Sequence, residues 1–490
     1  MAGMAVFMIE MYAGYCGAQE VEKSVKEKIL VFPFSESGAP DTGIGRSVAE
    51  FMVSKLHELG RFEIADRVNI EKIMAEQRLA LSGIMDEDTA VKVGNLMGAK
   101  LSVMGNVTSF SVGKNSSGGF DGTANVDLKI INVETSMIEK ATTVGASASL
   151  AAASDKSDET QRANVRSKLI GELGNKAYFA MREMFKLKTY IMTVDGRKVT
   201  IRQGEDMGIK PDWRFDAVKK GSVVKDPFTG EILKSNDEEI ANIWITKVDK
   251  NMSYGKIFTK KGQVTPGMQL VEYPSRNILF KLSAGPYPLY QTGISSSAVY
   301  NDGYNDYPVD FAVNENLIAT AIGFECGRKT YWGAASFDFD IIIKVPVFGY
   351  KILAGGLLDV MRLGPLAVSA GVNGGIISAG AWVGEVENTN LKAPGGEIVP
   401  VGANLNINSL NLGGEGLINI DYIIKKTMTF NVTIGMAKYL EDPWSMTATW
   451  TPDDGGETQS ETLDIANLSE PVPNLKINGL IIRAGINFIF

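Results

Sequence analysis

The last fifteen residues, Lys476 to Phe490, place Leu480, Ile482, Ala484, Ile486, Phe488 and Phe490 on one face of an extended chain. Gly479, Arg483, Gly485 and Asn487 fall on the other. Successive side chains of a strand point to opposite faces, so this period of two makes one face apolar and the other small or polar. The apolar face needs lipid or a core, and the other needs an interior that accepts Arg483. A strand that alternates in this way and stops on an aromatic residue is how an outer-membrane barrel ends, with Phe488 and Phe490 as the closing signal.

The pattern recurs upstream. From Lys426 to Lys438, Met428, Phe430, Val432, Ile434 and Met436 alternate with Thr427, Thr429, Asn431, Thr433 and Gly435. From Leu412 to Ile424, Ile418, Ile420, Tyr422 and Ile424 oppose Glu415, Asn419 and Asp421, and the pair Lys425 and Lys426 makes the turn. Further candidates are Asn277 to Pro288, Asn316 to Cys326, Thr330 to Lys344, Tyr350 to Leu363 and Leu366 to Gly384, giving about eight strands, the smallest common barrel. Short turns are expected near Gly327 to Lys329, at Gly364 with Pro365, and at Lys425 with Lys426. Long polar loops are expected over Leu289 to Glu315, Glu385 to Ser409 and Glu441 to Asn474, matching the short inner turns and long outer loops of such barrels. Glu415, Asp421, Asn431 and Arg483 are then interior residues. A soluble periplasmic β-sandwich, whose alternation faces a protein core, is the competing architecture.

Charged residues make up 22% of the chain and mean hydropathy is +0.00, which excludes wholesale disorder and a helical membrane protein. No internal stretch supplies the ~18 uncharged apolar residues of a spanning helix. A net charge of -8 without a basic cluster argues against nucleic acid as a partner. Residues 1–18 are apolar and rich in small side chains ahead of Glu20, as in a secretory signal, although Glu10 interrupts them and no basic residue precedes them. Cys16 is a candidate for lipidation, with Tyr15 standing where a small residue is expected. Removal of that segment leaves Cys326 as the one cysteine, too few for a disulfide framework or a zinc cluster.

Between these ends the pattern is of alternating strands and helices. Lys28 to Phe34 is a buried strand, and Gly45 to Leu59 a helix closed by Gly60. A strand at Arg61 to Asp66, a helix capped by Asn69, and a helix opened by Asp86 follow. Leu101 to Val112, Val126 to Val133 and Met137 to Leu150 are strands, and Asp158 to Phe185 is a long amphipathic helix. The strings ILVFPF (29–34), SVAEFMVSKLHELGRFEIADR (47–67), NIEKIMAEQRLALSG (69–83), MGAKLSVMGNVTSF (97–110) and DLKIINVETSMI (127–138) resemble the curli production assembly/transport (CsgG) family. The resemblance implies a lipoprotein that self-associates into a ring and lends hairpins to a shared channel. The insert from Gly113 to Gly122 is too short for two membrane strands of ~9–11 residues, so the α/β domain is expected without that channel.

Residues 189–274 read as a small β-domain, with strands at Tyr190 to Val194, Lys198 to Arg202, Phe215 to Lys219, Ile240 to Val248 and Gly255 to Phe258 and a tight turn over Asp226 to Glu231. This segment is similar to the C-terminal β-domain of the flagellar assembly protein T family. Gly43-Ile44-Gly45-Arg46-Ser47-Val48, with Asp66 beyond it, imitates a dinucleotide fingerprint, but Val48 replaces the third glycine; a plain helix entry that could hold a partner's phosphate or carboxylate is the expectation. His57 is the only histidine, which leaves no histidine-based metal cluster and no spare partner for a Ser-His-Asp triad; between Leu56 and Glu58 on a helix it reads as solvated or capping, and the acidic pairs Glu238 with Glu239 and Asp453 with Asp454 read as solvated surface.

The expectation is an α+β multidomain envelope protein. It comprises a signal-like segment (1–18), a periplasmic CsgG-like α/β domain (28–186), a small β-domain (189–274) and a C-terminal antiparallel outer-membrane β-barrel of about eight strands (277–490). It is read as non-enzymatic, with no cofactor, metal or catalytic residue. Its partners are outer-membrane lipid, further copies of itself, and other envelope, secretion or flagellar proteins. A subunit of an oligomeric secretion pore is the alternative role.

Overall fold

A computed structural model describes residues 26–38, 43–66, 72, 87–153, 155–292, 298–309, 316–344, 347–387, 390–440, 445–452, 456–469 and 474–490. The signal-like segment with Cys16, the helix expected from Asn69, and Asp453 with Asp454 lie outside these residues. The chain divides into two compact units, Met1–Phe185 with Glu205–Gly208, and Lys186–Gly204 with Ile209–Phe490.

In the first unit, strands β1 (Glu27–Val31), β2 (Phe62–Ile64), β3 (Leu101–Lys114), β4 (Phe120–Asn132) and β5 (Met137–Leu150) form a mixed sheet in the order β2-β1-β3-β4-β5. The β1 strand is parallel to both neighbours, whereas β3, β4 and β5 are an antiparallel meander. Helix α1 (Ile44–Leu59) buries Val48, Met52, Leu56 and Leu59, the apolar stripe of its sequence. It stops at Gly60, whose φ of 74° is the left-handed conformation a C-cap needs. Helix α2 (Glu87–Leu96) starts with two acids against its dipole. Helix α3 (Asp158–Met184) is capped by the Ser157 side chain, which accepts from the Thr160 amide at 3.2 Å. It packs on β4 and β5 and touches α1 where Gly174 meets the Phe51 ring.

The second unit contains two barrels. The smaller is built from β6 (Lys188–Asp195), β7 (Lys198–Arg202), β8 (Arg214–Lys219), β11 (Glu238–Val248), β12 (Met252–Lys260) and β13 (Gln269–Tyr273), while β9 (Val223–Lys225) and β10 (Ile232–Lys234) form a side hairpin. The ring closes in the order β11-β12-β7-β6-β13-β8. Its last strand, the five residues ahead of Pro274, is absent from the strands expected from sequence.

The larger barrel has eight strands: β14 (Ile278–Thr292), β17 (Asn316–Lys329), β18 (Gly333–Lys344), β19 (Val347–Leu363), β20 (Leu366–Glu385), β23 (Asn404–Lys425), β24 (Met428–Tyr439) and β28 (Asn478–Ile489). Each pairs antiparallel with the next, and β28 returns to β14, so the ring is closed and is not a sandwich. The β14 strand keeps thirteen register pairs with β17 but only six with β28, from Leu279↔Ile489 to Ala284↔Ala484. Beyond that point lie Pro286 and Pro288, which have no N–H to give, and pairing resumes only at Tyr290 with β27 (Asn474–Lys476).

Two expectations about the connections are corrected. The first turn falls after Lys329 rather than across Gly327 to Lys329, because β17 stays paired with β18 through Lys329↔Ala334. The long connections are not plain loops: β14 runs on to Thr292 and β23 begins at Asn404. They also carry the hairpins β15 (Ala298–Asn301) with β16 (Asp306–Val309), β21 (Leu391–Lys392) with β22 (Ile398–Val399), and β25 (Ser445–Trp450) with β26 (Gln459–Leu463).

Candidate functional site

The larger barrel is inverted relative to a soluble protein. Its outer surface presents Leu282, Phe339, Ile352, Ile418, Phe430 and Ile482 at 42–56% exposure, along with many similar side chains, while lysine, arginine and carboxylates are buried within. A water-soluble monomer rarely exposes a contiguous apolar patch beyond a few hundred Å², and this belt encircles the ring. Cys326 lies half-buried on the same outer face, between exposed Phe324 and Arg328.

Inside, the fully buried Lys351 ammonium of β19 lies 2.7 Å from Glu415 of β23, 3.0 Å from Asp340 and 3.3 Å from Asp338, both of β18. Arg483 of β28 reaches the same three carboxylates at 2.8 Å (Asp340), 3.4 Å (Glu415) and 3.5 Å (Asp338). Oδ2 of Asp340 meets both cations at ion-pair distance without an aligned hydrogen bond. The Tyr287 hydroxyl donates to Glu415 at 2.9 Å and its ring lies beneath both cations. Nearer the short turns, Lys281 pairs with Glu325 at 3.4 Å and donates to Thr433, and Asn431 and Asn487 each donate to Asp421 at 2.9 Å. The four residues singled out from sequence are therefore brought to the lumen side. Glu415 and Arg483 share one cluster, whereas Asn431 and Asp421 form another. Phe488 and Phe490 lie on the outer face, their rings stacked 6.3 Å apart.

The sequence reading missed Lys351, Asp338, Asp340 and Tyr287. Parity could have supplied them, since Ser336, Asp338 and Asp340 are two apart in an apolar strand and Lys351 stands alone in another.

Among the described residues, apolar clusters fill both ends of the lumen. At the long-connection end Tyr300, Tyr307, Val386, Leu391 and Val399 are buried in one cluster with inward-facing Ala381, Val383 and Leu405. At the turn end the smaller barrel presses Trp244 and Phe258 against Leu279, Ala334, Ile423 and Ile489. Arg214 of the smaller barrel lies over Trp244, Phe258 and Tyr273 and donates to the Lys426 carbonyl at 2.6 Å; burial pushes its guanidinium down to about 10. Lys426, in the turn between β23 and β24, bridges Asp216 at 2.6 Å and Glu239 at 2.9 Å. Burial acts to lower the Lys426 pKa, but these two carboxylates outweigh it and leave it raised. Glu239 is thus a joint residue, and its reading as solvated surface is corrected. At the turn end of the lumen a cavity of about 30 Å³, lined by Phe258, Lys281, Glu325 and Asp421 among others, has room for about one water.

The amide of Gly45 at the start of α1 donates to Glu36 Oε1 at 2.7 Å, so this chain's own carboxylate fills the place expected for a partner's anion. His57 is exposed on α1, where its carbonyl accepts from the Gly60 amide. Among the described residues no group of His, Cys, Asp and Glu could hold a metal ion, and no helix is long and apolar enough to cross a membrane.

A closed antiparallel ring with an apolar exterior and an ionic interior is the architecture of outer-membrane β-barrels. At the other end of the chain, residues 18–163 match the family model described as curli production assembly/transport component CsgG. Similar solved structures include lipoprotein GNA1162 from Neisseria meningitidis, at 13% identity over 30% of this chain and 99% of that one, with a TM-score of 0.22. Neisserial surface protein A covers 44% of this chain and 100% of its own at 10% identity and a TM-score of 0.22. A major outer membrane protein from Thermus thermophilus covers 44% and 99% at 11% identity and a TM-score of 0.25. No curated protein matches the chain.

Proposed function

We propose that this chain is a non-enzymatic envelope protein anchored in the outer membrane by its C-terminal barrel, with the smaller barrel and the CsgG-like unit in the periplasm. The observation that carries the reading is the inverted barrel, apolar where soluble proteins are polar and charged where they are apolar. The barrel serves as an anchor and not a conduit, because its lumen is crossed by the Lys351 and Arg483 ion pairs and stopped at both ends. The short turns and the smaller barrel share one end, which fits a periplasmic orientation of that end. The family match supports an assembly or scaffold role in secretion, surface-fibre export or a flagellar or envelope complex, with self-association through the CsgG-like unit.

Two measurements test this. The purified chain should fractionate with outer membranes and migrate faster on a gel before boiling than after it. In planar bilayers it should give no stable conductance steps. A soluble, detergent-free monomer of the full chain would refute the anchor, and large reproducible steps would favour the oligomeric pore.

A further inference from the structure

We propose that the outer end of the larger barrel carries a docking face for the neutral sugars of outer-leaflet glycolipid headgroups. This deepens the anchoring reading and rests on it. Along β23 the outward-facing positions run Ile424, Tyr422, Ile420, Ile418, Gly416, Gly414, Leu412 and Leu410, then change at one step to Asn408, Asn406 and Asn404. Ile424 to Leu410 spans about 46 Å of strand, or about 33 Å along the membrane normal at a ~45° tilt, enough to cover the ~25 Å apolar band of such barrels and its flanking interfaces. The asparagines then rise about 14 Å beyond it, the level of headgroups.

The register of β23 with β25 and β20 widens this row into a face. Asn408 and Asn406 donate to Thr447 Oγ1 and Thr449 Oγ1 at 3.2 and 3.0 Å, and Trp382 Nε1 donates to Asn404 Oδ1 at 3.1 Å. These bonds hold the groups in place without exhausting them. Each threonine hydroxyl accepts and keeps its own proton to donate, and the Asn406 and Asn408 carbonyl oxygens remain to accept. Trp382, 52% exposed, offers a flat apolar surface beside them. The opposite side of the same strands is buried core, including Leu405, Ile407 and Met446, so the polar side is fixed outward.

The chemistry selects the occupant. Sugar hydroxyls both donate and accept, which suits a lattice of amides and hydroxyls, and a sugar ring's C–H face suits the indole. Phosphate would call for lysine or arginine, and the described residues of this face include neither; the one charge among them is Glu385, opposite Asn404 at the outer edge. Continuity with the lipid belt points to glycolipid held laterally in the membrane rather than to a free saccharide.

The test uses the full chain in detergent, titrated with a neutral oligosaccharide built of hexoses, and in parallel with intact lipopolysaccharide and with phosphatidylethanolamine. Saturable oligosaccharide binding is expected in the parent. It should weaken on the order of tenfold in Trp382→Ala and in Asn408→Leu with Thr447→Val, since each removes contacts worth about one such factor. Heat-modifiable mobility and vesicle insertion should stay unchanged in both variants. Absence of oligosaccharide binding in the parent, equal binding by the variants, or a change in oligomeric state in place of a change in glycolipid preference would overturn the proposal. A parent that fails to insert into vesicles would instead overturn the anchoring reading beneath it.

Discussion

Replacing Lys351 by methionine removes a charge from the centre of the barrel while keeping the length of the side chain. The parent cluster sets three carboxylates, Asp338, Asp340 and Glu415, against two cations, with Lys351 and Glu415 both fully buried. After the substitution Arg483 alone faces all three, at 2.8 to 3.5 Å. Breaking a buried ion pair by deleting one partner costs about 3–5 kcal/mol, because the other charge is left uncompensated. That loss lowers the folded-to-unfolded ratio by roughly 10²- to 10³-fold or more. Urea unfolding of vesicle-reconstituted protein, followed by tryptophan emission and by heat-modifiable mobility, would measure it. Adding Glu415→Gln to Lys351→Met should recover part of the loss, with a coupling on the order of 2 kcal/mol. A Lys351→Met barrel within about 0.5 kcal/mol of the parent, a difference typical of surface sites, or strictly additive variants, would refute the assignment of these ion pairs as the barrel's internal bracing.

Phe339→Arg, on the outer face of β18, should cost about 2–4 kcal/mol of membrane stability if it lies near the midplane, and the same unfolding assay reads it. Asp302, between β15 and β16, accepts from the amides of Tyr304, Asn305 and Lys392 and from the Tyr307 hydroxyl. Burial alone would raise its pKa, but these donors outweigh it and hold the carboxyl below its ordinary range. The stability it adds to the outer connection is therefore present above the unfolded carboxyl value and lost as pH falls through the folded one. Hydrogen exchange of the Tyr304 and Lys392 amides should show that acid-dependent release, and Asp302→Asn should abolish its pH dependence. In the CsgG-like unit, Gly174→Ala would drive a methyl into the Phe51 ring, so it should destabilise by about 1–3 kcal/mol despite alanine's better helix propensity. Thermal unfolding checks this, and Phe51→Leu should restore part of the loss.

The barrel strands were legible in sequence because lipid imposes apolar side chains on one face only, and a period of two runs through the strands that cross the belt, slipping at the irregularity between Asp359 and Met361 of β19. The same logic explains where the reading stopped. At Asn404 to Ser409 the alternation continues, but its outward residues are asparagines, so a strand that has left the apolar band looked like loop. Lys351 and Glu415 stand 64 residues apart, and only the register of β18, β19, β20 and β23 brings them together. Lys426 was readable as a turn residue, yet its role as the joint to the smaller barrel depends on Asp216 and Glu239, more than 180 positions away. The helix entry at Gly43 to Val48 was legible as an entry, and Glu36 shows why no nucleotide is needed there.

The short ladder between β14 and β28 has a consequence for how the molecule is assembled. It joins residues about two hundred positions apart through the fewest bonds in the ring, and two prolines keep it from lengthening. Closing so large a loop for so small a return makes this seam the last to zip and the first to part. Nascent chain waiting at the membrane would therefore present these two unpaired edges, and any factor that catalyses insertion would have to shelter them.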